Sequence, residues 1–444
     1  MQPRGSRDPV QDAGELLASA GPSVVVFDQL DQLLEEAGGL FTPWLERAPE
    51  AIFVITSREP PKLAQAEQIA LEPLAGSYGD ELRGPAADLF FARLEEVGGE
   101  EAVQRWRDPE RLREVERVLR RLDGLPLAIV VTAARAANET PSGMAAELRP
   151  SSPGVVEDVT EAALRDAWND CNGEERSALL QCSVFHGSFT GISATAVLRV
   201  ESAPKALAAL VDKSLLLQEG GRFRLHQSVR DLCASVTDPV LVEAARERHA
   251  AYFLDAGEGL LSSLRGPGAG RAFALLGTAE AELRGIHGLA VAQRDGDRAM
   301  RAALCLEPTL ARRGDHRSLV ALLELARSAG PRPSLAARGA LAEARAHGWQ
   351  FDFQPALEAA NRGLDLAKNA GEPELMAEAR SELAMVEVRC GQGTDAAKRY
   401  RDALAAMREA GDRRGEGVVL LRLANLLSEQ GETQAATMMY RVAL

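Results

Sequence analysis

Towards its C-terminus the chain repeats itself every forty residues. Leu364, Leu404 and Leu444 stand in register, as do Ala370-Gly371 and Ala410-Gly411, Leu383 and Leu423, Gly391 and Gly431, and Tyr400 and Tyr440. From about residue 240 onward the sequence is Ala-rich and helical in pattern. A unit of this length holds a pair of helices, and one pair cannot bury its own apolar face. Successive pairs must stack, which constrains 241–444 to an α-solenoid.

The period is that of tetratricopeptide-type repeats, slightly long. Such solenoids present extended surfaces that take peptides or proteins, so a protein partner is expected here. Tyr400, Tyr440, Arg399 and Arg401 are candidates to line that surface, and core packing is the expectation for the two tyrosines. Ala, Leu, Arg and Glu dominate the composition and aromatics make up only 5%, which favours helices in the rest of the chain too.

The start of the chain is different. The run SVVVF, residues 23–27, is Val-rich and leads into Asp28, and AIFVITSRE, residues 51–59, is a second apolar run. Both read as strands buried on both faces, paired in parallel through a crossover, with DQLDQLLEEA starting a helix between them. Residues 1–75 are therefore expected to be an α/β core. A carboxylate at the C-terminal end of such a strand sits where open α/β sheets bind ligands. The alternative is that Asp28 caps the following helix. Thr56 and Arg58 close the neighbouring strand, as a phosphate-sensing pair or as a solvated strand end.

Residues 76–150 read as a helical subdomain. Leu89, Phe90, Leu94 and Val97 have helical spacing. In GLPLA, residues 124–128, Gly124 can end one helix and Pro126 open the next. Residues 151–240 read as four helices, a hairpin turning at Gly220-Gly221, and a final helix, which is the order of a winged helix. His226 lies at the end of the hairpin. Residues 158–236 carry ten acidic against eight basic residues, and the whole chain has a net charge of -14. Neither balance suits a DNA-binding face, so DNA binding by this chain is not expected.

The five cysteines, at 171, 182, 233, 305 and 390, are scattered and odd in number, which reads as reduced thiols of a cytoplasmic protein. MQPRGSRDPV has no apolar core of a signal peptide. No run approaches the ~20 apolar residues of a membrane span, so no membrane partner is expected.

In succession these features resemble one family. A Val-rich strand with Asp28, ITSRE, a LEPL segment, LFFARL, GLPLA, EERSALLQCSVFHGSF, LVDKSLLLQEGGRFRLHQSVRD and LLGTAEAELRGIHGLAVAQRDGD follow the order of the STAND, or NB-ARC-like, signalling ATPases. The likeness is to bacterial transcriptional regulators of that type with a winged helix and tetratricopeptide repeats, and it runs over nearly the whole chain. It implies a mainly α protein with an incomplete parallel P-loop NTPase core. It also implies that Asp28 is the Walker B carboxylate for Mg²⁺, Arg58 the sensor near the γ-phosphate, Pro126 a contact to adenine, and His226 a contact to the ADP β-phosphate. The cofactor so implied is ATP or ADP with Mg²⁺, and exchange of one nucleotide for the other would free the domains to rearrange and oligomerise.

The chain departs from the family in two places. Position 29 is Gln, and there is no G-x-x-x-x-G-K-[ST] anywhere in the sequence. Without that loop no cradle of backbone N–H groups and no Lys meets the phosphates. The expectation is a signal-transduction regulator acting through protein–protein contacts, with a nucleotide switch that this chain does not operate and with no cofactor bound. The chain reads as truncated, with a degenerate homologue as the alternative. Two rival functions stay open: an ADP/ATP-binding switch that regulates transcription or a kinase pathway, and a pure repeat scaffold.

Overall fold

The computed structural model describes residues 9–33, 36–57, 61, 63, 66–75, 82–147, 159–264, 266, 268–389 and 396–443. The protein is mainly helical and divides into two compact units, Met1–Pro73 and Leu74–Leu444.

The first unit contains α1 (Pro9–Ala20), β1 (Ser23–Phe27), a 3-10 turn at Leu30–Leu33, α2 (Ala37–Arg47) and β2 (Ala51–Ile55). The strands pair in parallel, Ser23 opposite Ala51 and Phe27 opposite Ile55. One face of this ribbon is filled by aromatic rings. Phe27 lies 4.9 Å from Phe41 and 5.9 Å from Trp44 between ring centres, and Phe53 lies 5.7 Å from Phe41. Trp44 Nε1 donates to the Val10 carbonyl at 2.7 Å and so ties α2 to α1.

Two expectations for this unit are corrected. The strands are not buried on both faces: Val24 is 64% and Val26 62% exposed, and Ile52 and Val54 are exposed beside them. Side chains alternate across a strand, and within this unit a packed layer lies on one face alone. Nor does the helix begin at Asp28. A single 3-10 turn comes first, and α2 starts only at Ala37.

The second unit opens with α3 (Pro85–Trp106), α4 (Leu112–Arg121), α5 (Pro126–Ala136) and α6 (Pro141–Glu147). Phe90 and Leu94 are fully buried, and the buried Trp106 donates to the Ala136 carbonyl at 2.9 Å. Gly124 has φ 68°, a left-handed conformation that ends the α4 segment, and Pro126 occupies the first turn of α5.

Next come α7 (Val159–Asn169), α8 (Gly173–Cys182), β3 (Phe189–Thr190), α9 (Gly191–Val197), α10 (Ala203–Asp212), β4 (Leu217–Glu219), β5 (Arg222–Arg224) and α11 (Gln227–Ser235). Asn172 and Glu175 form a reciprocal capping box at the start of α8. The three strands make one antiparallel sheet in the order β3-β5-β4. Gly220 and Gly221 both have positive φ, 55° and 75°, as a tight two-residue hairpin turn requires.

The remainder is helical throughout: α12 (Pro239–Ser263), α13 (Ala269–Thr278), α14 (Glu280–Ala292), α15 (Gly296–Arg313), α16 (His316–Ser328), α17 (Pro333–Trp349), α18 (Phe353–Ala370), α19 (Pro373–Arg389), α20 (Ala396–Ala410), α21 (Arg413–Glu429) and α22 (Thr433–Ala443). The forty-residue marks have plain structural duties. Gly371, Gly411 and Gly431 follow helix ends with φ of 69°, 72° and 84°. Tyr400, Leu404 and Leu423 are buried in one cluster with Met407 and Leu427. Tyr440 instead donates its hydroxyl to Asn425 Oδ1 at 2.5 Å, and Arg399 pairs with Glu387. Gly391 and Leu444 lie outside the described residues.

A charged ladder threads these pairs. Glu307 on α15 takes a two-pronged contact from Arg345 on α17, at 2.8 and 3.0 Å. Arg345 also reaches Glu382 on α19 at 3.4 Å, and Arg422 on α21 donates to the same Glu382 oxygen at 2.7 Å and to Ser381 Oγ at 2.8 Å. One charge per helix pair, alternating in sign, links four successive pairs. Glu382 is buried, which alone would raise its pKa, but Arg345 and Arg422 hold it below the ordinary carboxylate range. Among the described residues no helix is long and apolar enough to cross a membrane.

Candidate functional site

At the carboxyl end of the β1–β2 ribbon the backbone and two side chains close on each other. The Thr56 hydroxyl donates to Asp28 Oδ1 at 2.5 Å, and the Gln29 N–H donates to Thr56 Oγ1 at 2.9 Å. Thr56 N–H donates to the Phe27 carbonyl and Leu30 N–H to the Thr56 carbonyl, both at 2.9 Å. Gln29 sits at φ 58°, an uncommon conformation for a non-glycine residue, and these bonds hold it there. Asp28 therefore does not cap α2; its carboxylate is engaged by the neighbouring strand. It is also exposed, so one oxygen stays open to water or a cation.

The donor set fits one part of a magnesium site. A carboxylate beside a hydroxyl at the end of a parallel strand can hold Mg²⁺ through water. It does not supply a phosphate cradle, since the described residues of this unit offer no loop of converging N–H groups. Arg58 lies outside the described residues. Thr56→Val removes both the donor to Asp28 and the acceptor of Gln29, and is expected to cost the first unit about 1–2 kcal/mol, read from its urea midpoint.

Pro126 and His226 belong to the second unit. Pro126 is an exposed helix-opening residue. His226 is the N-cap of α11, its Nδ1 accepting the Ser228 N–H at 3.2 Å. That bond places the proton of the neutral ring on Nε2, which leaves Nε2 as a donor. Among the described contacts none joins Pro126 to His226.

A buried and heavily engaged polar group of the second unit is one that sequence reasoning passed over. Glu282 on α14 is 1% exposed. Its Oε2 accepts His186 N–H at 2.8 Å and meets His249 Nε2, on α12, at 2.8 Å, while its Oε1 accepts Gly187 N–H at 2.7 Å. Burial by itself pushes this carboxyl up. The hydrogen bonds from His186 and His249 outweigh burial and bring it down to about 2. The His186 ring lies against Gly285, one turn along α14, where a Cβ would stand 2.4 Å from the ring. One carboxylate thus fastens three segments: the turn after α8, α12 and α14. The signal was present in AEAELRGIHG, where Glu282 stands directly beside Leu283 and three residues before Gly285 on the buried side of a helix.

His186, His249 and Glu282 also bring three ligand atoms within 4.8 Å of one another. A cation there would have to displace the His249–Glu282 bond, and Oε2 already accepts the His186 amide. As arranged, the cluster works as a latch between these segments.

A family model described as tetratricopeptide repeat matches residues 375–444. Residues 375–444 are tetratricopeptide repeats. They correspond to α19 through α22. Among curated proteins, the chain is similar to an uncharacterized protein of Mycobacterium tuberculosis, 27% identical over 226 residues, covering 47% of this chain and 55% of that one. It is also similar to a protein of the same organism named "Putative HTH-type transcriptional regulator", 28% identical over 225 residues, covering 47% of this chain and 24% of that one. The matches thus span about half the length of the first relative and a quarter of the second. Among solved structures there is a likeness to a Signal Transduction ATPase with Numerous Domains (STAND) protein with a tetratricopeptide repeat sensor from Pyrococcus horikoshii. Its TM-score is 0.46 at 16% identity, over 99% of this chain and 64% of that one.

Proposed function

We propose that this chain serves a signal-transduction regulator of the STAND type, acting through protein–protein contacts on its tetratricopeptide repeats and without a working nucleotide switch of its own. The observation that carries this reading is the continuous stack from α12 to α22, fastened at its start to the preceding helices by Glu282 and along its length by the Glu307–Arg345–Glu382–Arg422 ladder. A stack so tied can pass a load from a bound partner to the helix-and-sheet unit of 159–235. That unit has the element order of a winged helix, and its net charge of -1 suits an internal lever better than a DNA reader. The mycobacterial relative named "Putative HTH-type transcriptional regulator" supports a role in control of transcription.

A second reading, an ADP/ATP-binding switch, is favoured by one observation: Asp28 is exposed at the carboxyl end of a parallel strand, beside Thr56. In that reading Asp28 holds Mg²⁺, Arg58 senses the γ-phosphate, Pro126 meets adenine and the His226 Nε2–H meets the β-phosphate. Calorimetric titration of the full chain with ADP and Mg²⁺ separates the two. The first reading expects no saturable heat in the micromolar range, and a saturable micromolar isotherm that Asp28→Ala abolishes would install the second.

A further inference from the structure

The turn between α17 and α18 carries an aromatic and basic cluster that the solenoid itself does not need. Trp349 is 59% exposed and Phe351 76% exposed. The His316 ring, from the preceding helix pair, lies parallel to the Trp349 ring at 6.4 Å, and the Arg389 guanidinium, from the following pair, lies 5.1 Å from the same ring. Phe353 packs edge-on to Phe351 at 6.1 Å. Three helix pairs thus converge on one exposed indole.

One further observation marks this turn as more than a chain reversal. Phe351 holds φ 59°, a left-handed conformation that a bulky side chain adopts only under constraint. A glycine there would be relaxed, yet the position presents a large ring to water.

The charge at the turn decides what kind of partner fits. Along the solenoid the arginines are mostly neutralised by carboxylates: Arg298 by Glu247, Arg301 by Glu258, Arg313 by Glu280, Arg345 by Glu307, Arg362 by Glu343, Arg408 by Glu416 and Arg422 by Glu382. Arg389 differs. Its described contacts are a long one to the Gly348 carbonyl, 3.4 Å, and the Trp349 ring. On a chain of net charge -14 this is an exposed guanidinium held on an aromatic platform without a carboxylate among the described residues. Tryptophan and arginine at the centre of a patch are the residues that most often anchor protein interfaces.

We infer that the α17–α18 turn, with Trp349, Phe351 and Arg389, is a docking site for an acidic segment of another protein that carries one large apolar side chain. The apolar side chain covers Trp349 and Phe351, and a carboxylate takes Arg389. This rests on the reading that the repeats work through a protein partner, and it places the contact on the turn edge of the array, away from the filled ladder of Glu307, Arg345, Glu382 and Arg422. Nucleic acid, which also stacks on aromatic rings, needs clustered Lys and Arg to meet its phosphates, whereas the cation stacked on this indole is the single Arg389.

The test is a displayed library of random twelve-residue peptides selected on the full chain, followed by affinity measurement on variants. The expected result is enrichment of peptides that combine Asp or Glu with Trp, Phe or Leu. Their affinity should fall about tenfold or more in Trp349→Ala and in Arg389→Glu. Phe351→Gly should weaken binding by a similar factor without lowering the melting temperature, because it relieves the backbone while removing the ring; this arm separates loss of binding from loss of fold. Enriched peptides insensitive to all three changes would overturn this site while leaving a protein partner elsewhere on the repeats. Enrichment of basic peptides, no enrichment at all, or tighter binding of a dT12 oligonucleotide than of any peptide would overturn the inference.

Discussion

Replacing Glu282 by Gln is expected to remove about 3 kcal/mol of stability from the second unit at pH 7, the free-energy equivalent of a carboxyl held at about 2 rather than 4.5. Gln keeps one acceptor for an amide N–H but turns a donor towards either the second amide or His249. The pH dependence has a definite sign. The folded carboxyl titrates below its unfolded value, so its contribution is complete above about pH 4.5 and fades as the pH falls towards about 2. Urea unfolding of the parent chain and Glu282→Gln at pH 7, 4 and 3 should show curves that converge on acidification. Parallel curves at all three pH values would mean that the carboxylate is not the fastening group.

Glu382→Ala is expected to destabilise the repeat array by about 3 kcal/mol, since breaking a buried ion pair leaves charge uncompensated. Arg422 loses its carboxylate partner and Arg345 loses one of two. The figure sits at the low end of the usual range because Arg345 retains Glu307, Arg422 retains Ser381, and both guanidinium groups keep some contact with solvent. The double change Arg345→Met with Glu382→Met should cost less than the sum of the single changes by the coupling between these two side chains, since Glu307 and Arg422 each lose a partner in a single change as well as in the double. Additive losses would show that the ladder does not couple α17 to α19.

The repeat was legible because its markers are backbone requirements. A left-handed glycine after a helix recurs as Gly371, Gly411 and Gly431, and the buried positions recur as Leu383 and Leu423. The parallel ribbon was legible from its Val-rich runs, but their apolar character suggested burial on both faces. Val24, Val26, Ile52 and Val54 are exposed because composition says which residues are apolar and not how many layers cover them. The candidate site was legible in part. Asp28 and Thr56 meet, as strand ends one parallel register apart must, whereas the partnership of Glu282 with His186 and His249 spans 96 and 33 residues and has no local period to betray it. The turn at Trp349 was equally hidden. Its members come from three helix pairs, and a lone exposed tryptophan in a helical sequence carries no spacing signal.

The central claim is that this chain transmits through its packed helices and not through nucleotide. Hydrogen exchange of the full chain with and without ADP and Mg²⁺ tests it most directly, read at the His186 and Gly187 amides held by Glu282 and at the Gln29 amide held by Thr56. The account predicts slow exchange at the Glu282-bound amides and the same protection at all three in either condition. Nucleotide-dependent protection at Gln29 together with altered exchange at His186 and Gly187 would contradict it.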